Sequence, residues 1–419
     1  MKEGWEEIPL GDVLTLNYGK PLPRDERNPD GSYPVLGANG IKSYSEKFYY
    51  ETPSLIVGRK GSAGEINRVE TPFWPLDVTY FTTHDEDRID FDFLEYLLFS
   101  LELPKMAKGV KPGINRNEVY DLSITLPPLE EQRRIVATLD QAFEGLDRAR
   151  ANTETNLESA KELFEVVLNE AVLGNSTEST HKTVTESIRE LTREQKNREG
   201  EKKFRKPRFV TINDKDVIPA HWTWASTEQL CTHIVDCLHT TPKWTHEGEI
   251  CLRTTNFRPG ELNLTKVRYV SSETYQTRIS RLEPKPGDVL YSREGGILGI
   301  ACMHPPDLKA CLGQRMMQFR LRNEYILPEY FCSVLNSALI LGEVRHFTGG
   351  AASPHLNIGD IRQFPIPVPP KPEQETIVAT IEFYTKKFKT LNTSNASQQN
   401  DCNDLRRSLL AKAFAGELT

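Results

Sequence analysis

The stretch LPPLEEQRRIVATLD at 126–140 recurs as VPPKPEQETIVATIE at 368–382, offset by 242 residues in a chain of 419. The offset also holds upstream, where Asn115 and Ile124 meet Asn357 and Ile366. Downstream, Leu163, Leu168, Ala171 and Gly174 meet Leu405, Leu410, Ala413 and Gly416. Between 114–174 and 356–416, 14 of 61 positions are identical without a gap, and eight of them crowd into 127–138. A gap-free repeat of this length marks a rigid element whose length matters, and self-similarity of this kind sets the architecture.

The element reads as a helix. Pro127-Pro128 and Pro369-Pro370 end the preceding strand, because proline lacks a ladder donor. Apolar or small residues then follow at spacings of three and four: Ile135, Leu139, Ala142, Leu146, Ala149, Ala160, Leu163 and Val167. The second copy has Ile377, Ile381, Tyr384, Phe388, Leu391, Cys402, Leu405 and Leu409. This narrow stripe is the seam of a coiled coil. It is interrupted by Thr153 and Asn156, and by Asn395 and Gln398 in the repeat. A helix from Glu130 to Leu173 spans roughly 65 Å, and Gly174 and Gly416 stand where a C-cap glycine belongs.

Weaker likeness precedes each helix. GWEEIPLGDV (4–13) resembles HWTWASTEQL (221–230), and Asn39 pairs with Asn256, both at an offset of 217. LIVGRKGSAG (55–64) resembles VLYSREGGILG (289–299), a strand running into a glycine turn. Runs such as SLIVG and RMMQFRL read as strands, and FDFLEYLLFSL and LPEYFCSVLNSAL as helices. The expected fold is therefore two α/β (α+β) units in tandem, separated by long helices that pair as an antiparallel coiled coil about a pseudo-two-fold axis. The boundaries are 1–126, helix 127–174, polar linker 175–218, 219–368 and helix 369–419. The linker reads as helical around 183–199. Its basic run Lys202–Arg208 either touches a phosphate backbone or is simply solvated.

Net charge is −7, which is unusual for a nucleic-acid binder, but the charge is segregated. Residues 250–285 hold seven Lys or Arg against three acids, whereas 130–170 hold ten acids against five bases. Seven cysteines, an odd number, fit reduced thiols. No apolar run reaches membrane-spanning length and no export signal is visible at MKEGWEEIPL, so a cytoplasmic location is expected. Phosphate-binding GxxxxGK[ST], NPPY and HExxH signatures are absent, so no catalytic residue, cofactor site or metal site is assigned. Cys231, His233, Cys237 and His239 would converge on zinc only if 234–236 turned tightly, because one straight strand spreads them along roughly 26 Å.

PPLEEQRRIV, PPKPEQETIV and the terminal LRRSLLAKAFAGEL resemble the hallmarks of the specificity subunit of type I restriction–modification systems. The resemblance runs through the whole chain in order: recognition domain, spacer helix, recognition domain, spacer helix. It implies a non-catalytic subunit whose two domains each read one half of a split, asymmetric DNA target. It further implies two methyltransferase subunits as partners, carrying S-adenosylmethionine, and restriction subunits using ATP and Mg. Lys371-Pro372, where the first copy has Leu129-Glu130, departs from the repeat.

On this reading the candidate DNA contacts are Asn39, Arg59, Lys60, Lys108 and Lys111 in the first domain. In the second they are Arg253, Asn256, Arg258, Arg293 and Thr348. Arg59-Lys60-Gly61 and Arg293-Glu294-Gly295 set a basic residue on a glycine turn, suited to phosphate or a base edge, though an ordinary hairpin has the same look. The glycine-bearing stretches before Asn115 and Asn357 read as flexible loops. Glu131, Gln132, Glu373 and Gln374 are candidates for docking the methyltransferase, with helix self-capping the alternative. Trp5 and Trp222 read as packing a domain edge. A protein–protein scaffold that never reads DNA is the competing class.

Overall fold

The computed structural model describes residues 4–174, 184–199, 208, 218–295, 297–348 and 354–418. They form two compact units, Met1–Thr155 with Ser394–Thr419, and Asn156–Thr393. In the first, an antiparallel sheet runs in the order Leu14–Tyr18, Thr79–His84, Ser54–Gly58, Ile66–Val69. The second repeats this order with Cys231–Asp236, Met316–Leu321, Val289–Ser292 and Ala301–Met303. SLIVG and VLYS are buried along their whole length, as unbroken apolar runs in interior strands must be. A two-stranded ribbon closes each unit: Glu6–Pro9 with Ser123–Leu126, and Thr223–Ser226 with Pro365–Val368.

The units diverge in their outer sheets. The first has three strands, Gly40–Ser45, Tyr33–Gly37 and Trp74–Pro75. The second has four, Trp244–Thr245, Arg268–Val270, Glu249–Leu252 and Ala310–Leu312. It adds the helix Ser272–Ile279 and the small hairpin Phe257–Arg258 with Glu261–Leu262. Each outer sheet keeps one parallel pair, Val35 beside Trp74 and Ile250 beside Ala310.

The repeated motif starts two continuous helices, Leu129–Leu173 and Lys371–Phe414. Gln132 and Gln374 lie just inside them and are 0 % exposed. Gln132 Oε1 accepts from Asp90 N (2.8 Å), and its Nε2 donates to the carbonyls of Arg88 and Pro127 (both 2.8 Å). Gln374 repeats this with Leu327 N (2.7 Å) and the carbonyls of Tyr325 and Pro369 (both 2.9 Å). Asp90 and Leu327 are the N-cap residues of Phe91–Ser100 and Pro328–Leu335. One amide side chain therefore ties the Pro-Pro turn to the start of a domain helix, in both units.

Glu373 is also buried; it accepts from Trp222 Nε1 (2.8 Å) and meets His221 Nε2 (2.9 Å). Glu131 is buried and paired with Arg134. These placements correct the expectation that the four residues face a partner. The polar atoms of both glutamines are consumed within their own units, since a buried amide must be bonded, and Glu373 is held by Trp222 and His221. Pro128 and Pro370 carbonyls receive the amides four residues later, from Gln132 (3.0 Å) and Gln374 (3.1 Å), so the Lys371-Pro372 departure leaves this geometry intact.

The far ends of the helices also dock alike. Leu410 and Ala413 join the first unit's core with Phe93 and Ile124. Leu168, Ala171 and Val172 join the second unit's core with Trp222 and Ile366. Thr125 Oγ1 donates to the Phe414 carbonyl (2.9 Å), and Tyr330 OH to that of Val172 (3.4 Å). Gly174 has φ +78°, and a Cβ there would lie 2.7 Å from Pro219 and 2.8 Å from Trp222. Only glycine meets both conditions.

Within the first unit the two helical segments run antiparallel. Asp147 pairs with Arg406 (2.6 Å), and buried Asn395 reaches the Thr153 carbonyl (3.5 Å). Thr153 Oγ1 lies 3.5 Å from Gln398 Oε1. Within the second unit Phe164 stacks on Phe388, centroids 6.0 Å apart. The seam differs from the sequence pattern here. Leu163 and Leu405 are exposed, and Phe164 and Arg406 take the facing positions, because a helix drifts against any strict 3.5-residue stripe. Asn156 is exposed as well.

Thr185–Glu199 is a helix that buries Ile188 and Leu191 in the second unit's core. Gln195 Nε2 donates to the carbonyls of Glu228 (3.0 Å) and Gln229 (3.2 Å). The stretch read as linker thus contributes a packed element. Of the basic run, only Arg208 lies among the described residues.

Gln132→Ala or Gln374→Ala should lower folding stability by about 3 kcal/mol, since each orphans one buried N–H and two carbonyls. Chemical denaturation of the purified chain checks this, and an unchanged midpoint would refute the glutamine tie.

Candidate nucleic-acid interface

A tight turn leaves each buried strand at its C-terminal end. In the first unit, Gly64 N donates to the Gly58 carbonyl (2.7 Å). A Cβ on Gly58 would sit 2.0 Å from the Ser62 carbonyl oxygen, so glycine is required for the closure. In the second unit Gly299 N donates to the Ser292 carbonyl (2.8 Å).

That turn interlocks with the segment leading into the Asn115 or Asn357 helix start. Gly61 N donates to Pro112 O (2.9 Å), and Ile114 N to Arg59 O (3.1 Å). The second unit repeats both bonds, Gly295 N to Pro354 O (3.2 Å) and Leu356 N to Arg293 O (2.9 Å). The two glycine turns aligned in the sequence are thus the same structural device. Lys108 and Gly113 exchange backbone bonds of 3.0 and 3.1 Å. Lys108–Pro112 is accordingly a closed loop seated on the glycine turn, which corrects the loose loop expected there.

The interlock gathers Arg59, Lys60, Lys108 and Lys111 at one edge of the first unit. Lys60, Lys108 and Lys111 are exposed, with Lys108 held near Glu118 (2.7 Å). Val110 projects fully into solvent at the loop tip. Four further residues join them that the sequence did not single out. The Tyr18 ring is exposed and carries the guanidinium of Arg59 at 5.3 Å and that of Arg116 at 4.7 Å. Beyond it, Lys20 Nζ sits 5.8 Å from the exposed ring of Tyr49, which packs on Trp74. Cations interleaved with exposed aromatic rings suit phosphate and base contact. The available signals were the KFYY run at 47–50 and the last residue of LTLNY; neither is interpretable until the strands are assembled. Asn39 is exposed in the turn between Tyr33–Gly37 and Gly40–Ser45.

The second unit's edge is built differently. Arg293 is 6 % exposed. Its Nε and Nη2 bond both oxygens of Asp236 (2.9 and 3.1 Å), and Nη1 donates to the Leu356 carbonyl (2.8 Å). Nη2 also meets Glu294 (2.8 Å), and His239 Nε2 lies 2.8 Å from Asp236. This corrects the expectation that Arg293 contacts DNA: the side chain is buried, and four of its five N–H donors are engaged within the unit. Asn256 is likewise corrected. Its side chain is buried, accepting from Arg253 N (2.9 Å) and donating to the carbonyls of Asn263 (2.9 Å) and Lys266 (3.1 Å). The apparent match of Asn39 with Asn256 therefore joins an exposed turn to an internal brace. Arg258 is exposed, Arg253 half-buried, and Thr348 ends the helix Ala338–Thr348. Gly349 and Gly350 lie outside the described residues.

Cys231, His233, Cys237 and His239 do not converge. The first two lie on the strand Cys231–Asp236, Cys231 and Cys237 are buried, and both histidines are exposed. Among the described residues no three His, Cys, Asp or Glu side chains are grouped so as to hold a metal ion. Among the described residues no helix is long and apolar enough to cross a membrane.

A family profile described as "Type I restriction modification DNA specificity domain" matches residues 2–158 and 253–398. The chain belongs to the type I restriction–modification DNA specificity family. It is a specificity subunit with two recognition domains, and not itself an enzyme. It is 24 % identical to the type I restriction enzyme EcoDI specificity subunit of Escherichia coli, over 99 % of this chain and 89 % of the relative. To the EcoKI specificity subunit of Escherichia coli strain K12 it is also 24 % identical, over 100 % and 90 %. To the MjaVIII specificity subunit of Methanocaldococcus jannaschii it is 23 % identical, over 91 % and 86 %. Its fold is similar to a solved chain from work on complex assembly and conformational transition of the type I R-M system (18 % identity, 100 % and 99 % coverage, TM-score 0.68). It is also similar to the HsdS subunit from Thermoanaerobacter tengcongensis (19 % identity, 100 % and 98 % coverage, TM-score 0.52).

In this specificity subunit, Arg293→Ala should destabilise the fold by roughly 3–5 kcal/mol, because buried Asp236 loses its bidentate partner and keeps only the exposed His239 beside it. Arg59→Ala, at the equivalent position, should lower stability by about 1 kcal/mol or less. Parallel thermal denaturation of the two variants makes the comparison, and equal losses would contradict the difference in burial.

Proposed function

We propose that the chain reads a split, asymmetric DNA target, one half-site per unit, and scaffolds two methyltransferase subunits and the restriction subunits of a type I enzyme. S-adenosylmethionine would be held by the methyltransferase subunits, and ATP with Mg by the restriction subunits. The observation that carries the reading is the same glycine-turn interlock in two units whose surfaces have diverged. A shared frame with unlike edges suits two readers of unlike sequences, so the site need not be a palindrome. A cytoplasmic location, where such DNA is found, goes with it.

The first unit's edge supplies the chemistry most directly: lysines for phosphates, Arg59 and Arg116 held on an aromatic ring for groove contact. The long helices, gap-free in their repeat and docked at both ends, suit the task of setting the distance between half-sites. The buried amide of Asn395 supports this, since a polar residue in a helix seam holds one register at some loss of stability.

Binding sites selected from a random duplex pool by the complex with its methyltransferase partner should show two short fixed runs separated by a gap of constant length. Recovery of unselected DNA would favour the protein scaffold instead. Exchanging 219–368 for the equivalent domain of a relative should change one run only. Removing seven residues from the middle of each long helix shortens it by roughly 10 Å, about three base pairs at 3.4 Å. The selected gap should shrink accordingly with both runs unchanged, and recovery of the original gap would exclude the helices as the ruler.

A further inference from the structure

Arg293 has withdrawn into the second unit, and the edge it vacates carries another guanidinium. In the first unit the glycine turn leans on the Val78 carbonyl, which accepts from Arg59 N (2.9 Å) and Lys60 N (3.2 Å). In the second, Arg293 N donates to the Arg315 carbonyl (3.1 Å). Arg315 thus occupies the place of Val78 and brings a cation to a position that is apolar in the first unit. Its side chain is exposed, and among the described residues no hydrogen bond or ion pair holds its guanidinium.

The backbone there is unusual. Arg315 has φ +72°, and among the described residues only Glu102 shares a positive φ without being glycine. A side chain in the left-handed region is strained, and such strain persists where the surroundings impose it. They do so here. Gly313 N donates to Leu252 O (2.9 Å), and Gly313 O accepts from Arg278 (3.3 Å). On the other side, Met316 is buried and exchanges bonds with Cys237, N to Sγ (3.2 Å) and O from N (3.0 Å). Facing this tip, a Cβ on Gly295 would lie 3.4 Å from Arg315 Nη1, and Gly295 has φ +92°. The guanidinium therefore lies beside Gly295, and the backbone that carries it is pinned from both sides.

We propose that Arg315 is the residue with which the second unit reads a guanine in the major groove, donating to O6 and N7. A guanidinium on a fixed backbone suits a bidentate base edge, which needs direction. A phosphate contact needs only charge, and would not require a strained, pinned arginine. The proposal rests on the DNA reading above.

The test uses the complex with its methyltransferase partner, the random duplex pool, and two variants. Arg315→Gly keeps the left-handed backbone and should leave the melting temperature equal or higher. It should abolish preference for a G·C pair at one position of one half-site, weaken binding to the wild-type site roughly tenfold to a hundredfold, and leave the other half-site intact. Arg315→Lys should lose the same preference, since an ammonium lacks the fork. Uniform weakening on all sequences, with the salt slope reduced by about one, would make Arg315 a phosphate contact and overturn the proposal. Unchanged selection, or a melting temperature several degrees lower, would overturn it too. If the wild-type complex itself selects no sequence, the DNA reading fails, a result distinct from any effect of the variants.

Discussion

Everything in this molecule depends on anchoring each long helix at both ends, and the glutamine one turn inside each N-terminus is the first anchor. A helix start carries unsatisfied N–H groups, and a Pro-Pro turn ahead of it leaves the preceding carbonyls open. Gln132 and Gln374 settle the carbonyls of Pro127 and Pro369 while bonding the N-cap amide of a domain helix. The helix is thereby fastened to its recognition domain by a buried amide with nowhere else to bond. At the far end, Leu168 and Ala171, like Leu410 and Ala413, are core residues rather than surface ones. A helix held in this way cannot change length or phase without disturbing two cores, which is why the repeat is free of gaps.

On this frame the recognition domains have diverged where divergence is least disruptive. The inner sheets keep one strand order, while the outer sheets differ in strand number and carry the inserted helix Ser272–Ile279. The glycine-turn interlock survives in both because it is made of backbone bonds, which tolerate any side chain that fits the turn. Lys60 in one unit and Glu294 in the other occupy the same bridge, so electrostatics can be rewritten without moving the chain. Arg59 and Arg293 illustrate the limit of sequence comparison. They match in position, yet one lies over an aromatic ring and the other is buried against a carboxylate.

The sequence by itself determined the two-unit architecture, the helix starts at the Pro-Pro turns, the glycine caps and the correspondence of the two glycine turns. These rest on local rules: proline cannot continue a strand, glycine accepts a left-handed turn without strain, and a helix cannot take an insertion without changing phase. Only the tertiary structure decided which polar residues face solvent. Gln132, Gln374, Asn256 and Arg293 look like surface groups in a string of letters and are buried: the first two and Arg293 meet partners from distant segments, Arg88, Tyr325 and Asp236, and Asn256 is enclosed by its own loop up to Lys266. Tyr18 and Arg116 went unnoticed for the same reason, being 98 positions apart in sequence yet 4.7 Å apart in space. Burial is a property of the assembled chain: hydrogen-bond capacity can be read from a residue's identity, but whether water or protein satisfies it depends on what folding brings alongside.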